Sequence, residues 1–217
     1  MRKINTEIIE AYRVLDQVKN PIVSIFGSAR IPKTDPYYQA TEKLALLLSN
    51  AGFSVVSGGG PGIMEAANKG AFAGQSESIG LNIALPMEQH SNFYQDISLE
   101  FHYFESRKFT FSNLSAAYIA MPGGFGTLDE IMSTLILLQT RKIAPRPFLF
   151  FDADFWQELI QWFEDKLLAD KMIHPEDLHL FQIVNSPEEA VDILKATVPL
   201  TKPKTSLSTK KRLKPKK

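Results

Sequence analysis

The sequence predicts a single α/β domain in which a doubly wound parallel sheet carries helices on both faces. Three observations lead to this prediction. Short apolar runs typical of buried strands alternate with helical segments along the chain. Three of those runs end in glycine-bearing loops, and the composition, 44% hydrophobic and 22% charged over 217 residues, suits an ordinary globular domain. We find no internal repeat that would indicate a different architecture.

The first half of the chain begins with an amphipathic helix, predicted over residues 6–18. Pro36 opens the next helix, because its fixed φ suits a first helical turn, and the apolar residues of this helix recur on one face. Small residues make up a third helix over 63–73, and a fourth is predicted over 106–115. The strand-like runs of this half are residues 22–26, 53–56, 79–85 and 99–104.

The same alternation continues in the second half. A buried strand is predicted over 116–121 and a helix over 131–138, and a second strand follows at 148–151. Residues 155–168 are predicted to form a helix with a large aromatic face. After a last strand at 181–184, Ser186 and Pro187 have the residue types of an N-cap and a first helical position, so a helix is predicted over 190–196.

The net charge of zero hides an uneven distribution. Eight of the 24 Lys and Arg lie in residues 201–217, which contain no acid, so residues 1–200 carry 16 basic against 24 acidic residues. With two prolines and only two leucines, this tail cannot bury enough apolar area to offset its ordering entropy, and we expect disorder. We interpret it as a solvated terminus rather than an arm for nucleic acid, and we place the folded domain at residues 1–200.

We expect neither a membrane-spanning nor a secretory segment in this sequence. No apolar run approaches eighteen residues, and the first residues lack the apolar core of a signal peptide, so a cytoplasmic protein is expected. The chain contains no cysteine, which excludes disulfides, thiolate metal ligands and a cysteine nucleophile. The four histidines show no metal-ligand spacing, and we expect no metal site.

Three glycine-bearing loops follow three predicted strands, at residues 27–30, 58–62 and 122–127. In an open, Rossmann-like parallel sheet the loops at the carboxyl ends of the strands converge on the crevice where ligands bind. None of them has the glycine spacing of the dinucleotide fingerprint, and no Gly-Lys-Ser/Thr of a P-loop is present. One such loop alone is commonly a tight turn, but three together indicate a shared nucleotide pocket.

The third loop, within Met-Pro-Gly-Gly-Phe-Gly-Thr-Leu-Asp-Glu at residues 121–130, is the most informative. Gly123, Gly124 and Gly126 lack Cβ atoms, so backbone N–H groups can approach a phosphate at the start of the following helix. Thr127 and Glu130 have the spacing of a capping box, in which both side chains would bond backbone N–H groups. Glu130 could equally be catalytic, because it would lie close to a phosphoribosyl group held by the loop.

Arg107 and Lys108 open the helix that precedes the strand of this motif. A guanidinium can bind a phosphate or carboxylate through two hydrogen bonds, and a lysine adds a mobile positive charge. Cations at a helix N-terminus oppose the helix dipole. The pair is therefore better explained by a neighbouring acid or bound anion than by helix stability.

These motifs together resemble those of the LOG (LONELY GUY) family, cytokinin riboside 5′-monophosphate phosphoribohydrolases that are often mislabelled as lysine decarboxylases. The third loop resembles the family's Pro-Gly-Gly-x-Gly-Thr-x-x-Glu signature, and Arg107-Lys108 resembles its upstream Arg-Lys pair. The loops at 58–62 and 27–30 resemble its Gly-Gly-Gly loop and its first loop. The resemblance covers residues 20–195.

The resemblance implies hydrolysis of the N-glycosidic bond of a nucleoside 5′-monophosphate, either a cytokinin riboside monophosphate or AMP, by a homo-oligomer that needs no cofactor. Arg107 and Glu130 would be the catalytic pair. The substrate-binding residues implied by the resemblance are Gly27, Ser28, Gly59, Gly60, Glu88, Lys108, Gly123, Gly124, Phe125, Gly126 and Thr127.

Two alternatives compete with this interpretation. A non-catalytic carrier or sensor of the same fold, such as the molybdenum-cofactor carrier proteins that the LOG family resembles, would need the phosphate loop without the acid. The combination of Arg107 and Glu130 favours the enzyme. A pyridoxal-phosphate lysine decarboxylase has only the family's old label behind it, because no lysine lies in a recognisable Schiff-base context.

Overall fold

The structure is a computed structural model that describes residues 4–85 and 91–200. Glu88 and the predicted tail at 201–217 lie outside the described residues. Seven parallel strands form one sheet in the order β4-β3-β2-β1-β5-β6-β7. The strands are β1 Ile22–Phe26, β2 Ser54–Ser57, β3 Ser78–Ile83, β4 Ile97–Phe101, β5 Ser115–Ala120, β6 Phe148–Phe151 and β7 Gln182–Val184.

Helices cover both faces of the sheet, which confirms the predicted doubly wound α/β fold. Apolar side chains of α2, α3 and α7 pack with the sheet in one core, and those of α1, α4, α5 and α6 pack in the other. The helices are α1 Ile4–Leu15, α2 Pro36–Asn50, α3 Ile63–Phe72, α4 Phe104–Leu114, α5 Phe125–Gln139, α6 Ala153–Trp162 and α7 Pro187–Thr197.

The predicted element boundaries are wrong at several places, and the largest error concerns α5. This helix begins at Phe125 rather than Ile131, because the glycines of the motif form the cap and first turn of the helix instead of a separate loop. Two smaller errors concern α4 and α6. Phe104 begins α4 rather than ending a strand, and α6 changes at Phe163 into a π-helical segment that runs to Leu168. No sequence signal separates a π-helical turn from an α-helical one.

The sheet order reverses at β1, which lies between β2 and β5. Ligands of open α/β sheets bind outside the carboxyl ends of the strands at such a switch point. Backbone hydrogen bonds join the loops there: the Ser28 N–H donates to the Pro122 carbonyl at 3.1 Å, and the Ile63 N–H donates to the Ser28 carbonyl at 2.9 Å. The three glycine loops therefore form one connected rim.

A helix must be both long and apolar to cross a bilayer. Over residues 4–85 and 91–200, no helix is long and apolar enough to cross a membrane.

Candidate active site

A cleft of about 560 Å³ opens at the carboxyl ends of the central strands. It has an apolar side, contributed mainly by strand ends and α4, and a polar side formed by the first and third glycine loops with one arginine and one glutamate. The lining residues are Ile25, Phe26, Gly27, Ser28, Ala29, Arg30, Gly58, Met64, Ile83, Leu85, Phe104, Arg107, Phe111, Gly124, Phe125, Gly126, Thr127, Leu128 and Glu130.

The start of α5 supplies a set of unused N–H donors to this cleft. Gly124 is the N-cap, and the Leu128 N–H donates to its carbonyl at 3.0 Å as the first bond of the helix. The N–H groups of the three residues between them therefore have no acceptor within the helix. A Cβ added at Gly124 or Gly126 would meet no atom within 4 Å, so the space beside these two Cα atoms is open. An anion can bind at this helix terminus.

The capping-box alternative for Thr127 and Glu130 is wrong. Because Gly124 is the N-cap, Thr127 lies three residues inside the helix, and no side chain bonds the cap. Thr127 is buried instead against Gly123, where an added Cβ would lie 2.1 Å from its hydroxyl oxygen. Thr127 thus explains why residue 123 is glycine, and Glu130 remains without a capping role.

Glu130 lies on the second turn of α5 and faces the cleft. Its Oε2 is buried and has no hydrogen-bond partner within the described residues. Burial raises the pKa of the Glu130 carboxyl, while the positive charges of Arg107 and Lys108 oppose that rise. A buried carboxylate oxygen that lacks a hydrogen bond is destabilising, so such a group indicates a functional constraint.

Arg107 is held rigidly at the back of the cleft, with only 9% of its surface exposed. Its Nε donates to the Leu81 carbonyl at 2.7 Å, and one terminal nitrogen, Nη2, donates to the Gly58 carbonyl at 3.2 Å. The guanidinium carbon lies 5.4 Å from the centre of the Phe111 ring. Burial lowers the pKa of Arg107, and the charge of Glu130 opposes that shift. The two side chains are therefore electrostatically coupled across the cleft.

Lys108 is directed away from the cleft, although it is adjacent to Arg107 in sequence. Its amine pairs with Asp129 on α5 at 2.5 Å, and it is not among the lining residues. The sequence predicts a neighbouring acid or anion for the Arg107-Lys108 pair, and the structure provides two different carboxylates. Glu130 is coupled to Arg107, and Asp129 pairs with Lys108.

The structure brings together some of the other predicted site residues and separates the rest. Gly27, Ser28, Gly124, Phe125, Gly126 and Thr127 line the cleft with the catalytic candidates. Gly59, Gly60 and Gly123 lie behind the lining, packed against polar side chains of the protein. Glu88 lies outside the described residues.

Several residues that line the cleft were not predicted from the sequence as site residues. Arg30 closes the first glycine loop and was visible as a cation beside it. Ile83 and Leu85 follow from topology, because they lie at and just beyond the carboxyl end of β3. Met64, Phe104 and Phe111 are apolar residues of helices, and only tertiary packing shows that they face the cleft. Phe125 is 92% exposed at the mouth.

The acidic and histidine side chains of residues 4–85 and 91–200 are dispersed with respect to metal binding. These residues contain no group of three or more His, Asp or Glu side chains that could hold a metal ion. The described cleft offers two arginines, Arg30 and Arg107, one glutamate, Glu130, open backbone N–H groups and an apolar wall.

Solved structures with the same fold are known. The molybdenum cofactor binding protein of Rippkaea orientalis superposes with a TM-score of 0.62 at 23% identity, over 82% of this chain and 97% of that one. At this identity the likeness concerns the fold alone.

Sequence comparison is more specific. A rice (Oryza sativa subsp. japonica) protein described as "Probable cytokinin riboside 5′-monophosphate phosphoribohydrolase" is 26% identical over 197 residues, 88% of this chain and 77% of that one. A cytokinin riboside 5′-monophosphate phosphoribohydrolase of Arabidopsis thaliana is 26% identical over 181 residues, 82% of this chain and 78% of that one.

A family model described as "Possible lysine decarboxylase" matches residues 64–194, which is more than half of the chain. This stretch contains both Arg107 and the whole motif at 121–130. The chain therefore belongs to that family, which is the LOG family predicted from its motifs.

Proposed function

We propose that this protein hydrolyses the N-glycosidic bond of a nucleoside 5′-monophosphate, either a cytokinin riboside monophosphate or AMP, to free base and ribose 5-phosphate. The observation that carries the proposal is the Glu130 carboxylate near Arg107, whose buried Oε2 has no hydrogen-bond partner within the described residues, in a cleft where the N-terminus of α5 offers open N–H groups. Membership of the LOG family supports the same reaction.

The negative charge of Glu130 would act on the ribose of the substrate. When the bond between C1′ and the base nitrogen breaks, its electron pair leaves with the base and positive charge develops on the ribose. A carboxylate in a cleft of low dielectric stabilises that charge and can take a proton from the water that adds to C1′. Its raised pKa brings its basicity closer to neutral pH than that of an exposed glutamate.

Arg107 suits either the departing base or another part of the substrate. Two of its nitrogens are committed to backbone carbonyls, and Nη1 makes no hydrogen bond to any residue in 4–85 or 91–200. An arginine does not release its proton in proteins, so this group would donate a hydrogen bond to the leaving base or anchor the substrate. The base would then receive its proton from solvent.

The phosphate would bind at the start of α5. The N–H groups of Phe125, Gly126 and Thr127 have no acceptor in the helix, and the helix dipole favours a negative group there. Gly27 and Ser28 border the same space. The apolar wall opposite, which includes Met64 and Phe111, would contact the planar base.

The test is chromatographic detection of free base from a panel that includes AMP and isopentenyladenosine monophosphate. Glu130→Gln keeps the shape of the side chain and removes the carboxylate, so kcat should fall by about 10²- to 10⁴-fold. Asp129→Asn is the matched control: it makes the same change at the neighbouring, exposed acid and should retain most of the activity.

The outcomes separate the enzyme from a carrier of the same fold. Release of base by wild type and by Asp129→Asn, but not by Glu130→Gln, supports the proposal. Tight binding of a nucleotide that stays intact for hours, while an active family member hydrolyses it under the same conditions, would instead indicate a carrier or sensor.

A further inference from the structure

The second glycine loop, Gly58 to Gly60, differs from the third in what its backbone faces. The Gly58 carbonyl accepts a hydrogen bond from Arg107. The Gly59 carbonyl accepts from the side-chain amide of Gln95 at 3.0 Å and from the backbone N–H of Asn92 at 2.8 Å. The Gly60 carbonyl accepts from the side-chain amide of Asn92 at 3.0 Å. Each of the three carbonyls therefore accepts a hydrogen bond from Arg107, Gln95 or Asn92.

Close packing explains why this loop consists of glycines. Gly59 has a φ of +75°, and an added Cβ would lie 2.0 Å from the Asn82 side-chain oxygen and 3.0 Å from the Gln95 amide nitrogen. At Gly58 an added Cβ would lie 2.3 Å from Nη2 of Arg107. The missing side chains make room for protein groups here, whereas at Gly124 and Gly126 the corresponding space is open.

The donors belong to one partly buried polar network. The Asn82 amide donates to Gln95 at 3.0 Å, and the Asn92 amide also donates to the Asn68 side-chain oxygen at 2.9 Å. That oxygen accepts a further bond from Ser57, at the end of β2, at 2.6 Å. Networks of this kind hold a single conformation when all their members are satisfied.

We propose that Asn92 and Gln95 are positioning residues for Arg107. Their side-chain amides fix the carbonyls of Gly59 and Gly60, and the loop held in this way presents the Gly58 carbonyl that orients the guanidinium. Neither residue is among those that line the cleft, so each acts through the loop rather than on the substrate. The inference rests on the proposed function only where activity is measured.

The first test needs no activity. The Nε–H of Arg107 donates to the Leu81 carbonyl in a buried site and should give a protected NMR signal in the full chain, assigned by its loss in Arg107→Lys. Gln95→Met and Asn92→Leu remove the amide donors and should shift this signal or abolish its protection. Gln95→Glu has the same shape but lacks the Nε2 donor, so it should change the Arg107 signal in the same way. This variant replaces Gln95→Met in the test if Gln95→Met does not fold.

Asn20→Leu is the matched control, because Asn20 also donates a partly buried side-chain amide, to Ser76 at 3.1 Å, but near the amino ends of the strands. It should lower the melting temperature without moving the Arg107 signal. An unchanged Arg107 signal in folded Gln95 and Asn92 variants would overturn the inference, and so would an equal change in Asn20→Leu.

The second test uses base release from a nucleoside 5′-monophosphate. A displaced guanidinium should lower kcat by about 10- to 100-fold in the Gln95 and Asn92 variants, with a smaller effect on KM. The acid limb of the pH profile should also move to higher pH, because Arg107 would oppose the raised pKa of Glu130 less effectively. A change in stability alone would alter neither kcat nor the acid limb of the pH profile.

The two proposals fail in different ways. If wild type releases no base, the proposed function fails, and the NMR signal still decides whether the two amides position Arg107. If wild type is active but the Gln95 and Asn92 variants keep its kcat and pH profile, the positioning role fails while the proposed function stands.

Discussion

Gly126→Ala should make the protein more stable and at the same time impair its ligand binding. Gly126 is the second helical residue of α5, and a Cβ added there would meet no atom within 4 Å. Replacing glycine by alanine at a compatible helical position stabilises a protein by about 0.4–1 kcal/mol, because the unfolded chain loses conformational freedom. For a chain of this size the melting temperature should rise by about 1–4 °C.

The same methyl group would project from a residue that lines the cleft, in the helical turn whose N–H groups would bind the phosphate. Losing one hydrogen bond to a charged phosphate oxygen costs about 1.5–3 kcal/mol. That loss corresponds to about 10- to 150-fold weaker binding. The assay is calorimetric titration with ribose 5-phosphate and, in proteins that also carry Glu130→Gln to prevent hydrolysis, with AMP, combined with thermal unfolding. Both ligands should be weakened by the same factor if the methyl group acts on the phosphate they share.

Gly123→Ala is the comparison, because it lies three residues away but is closed in by the protein. Its Cβ would lie 2.1 Å from the Thr127 hydroxyl oxygen and 3.0 Å from the Ser28 nitrogen, so this variant should lose stability as well as binding. Wild-type affinity in a stabilised Gly126→Ala would refute phosphate binding at α5. A lowered melting temperature in Gly126→Ala would refute the inference that this space is open.

Three further predictions concern charge and backbone conformation. Burial raises the pKa of Glu130, and the charge of Arg107 opposes this rise. Arg107→Met should therefore move the titration of the Glu130 carboxyl, followed by ¹³C NMR, to higher pH. A shift to lower pH would contradict the coupling. Burial raises the pKa of Glu7, but hydrogen bonds from Ser106 and from the His102 backbone together hold it below its ordinary value of 4.5. Glu7 therefore stabilises the fold above that value, and this stabilisation is lost as the pH falls through its lowered pKa. The stability difference between wild type and Glu7→Gln in urea should accordingly shrink below about pH 4.5, and a difference that grows there would contradict this sign. Gly59→Ala must adopt a φ of +75° against the Asn82 oxygen and should cost more than about 1 kcal/mol in urea unfolding, whereas a neutral result would show that the loop relaxes.

Local patterns were sufficient for the fold because strands and helices differ in their hydrophobic period and in their caps. Ser186 and Pro187 predicted the start of α7, and Pro36 predicted that of α2. The start of α5 was predicted six residues late. Its N-cap is Gly124, which has no side chain to form a capping hydrogen bond. The sequence pattern therefore resembles a loop at this position, and only the backbone conformation identifies the cap.

The sequence by itself determined the alternation of strands and helices, the three glycine loops and the residue types needed for one anion site with one acid. It could not separate Arg107 from Lys108, which are adjacent in sequence but face different acids because successive residues of a helix point in different directions. Nor could it separate the open glycines of the third loop from those of the second, which protein amides close in. Tertiary structure decided both questions, because the space around a side chain is set by elements distant in sequence.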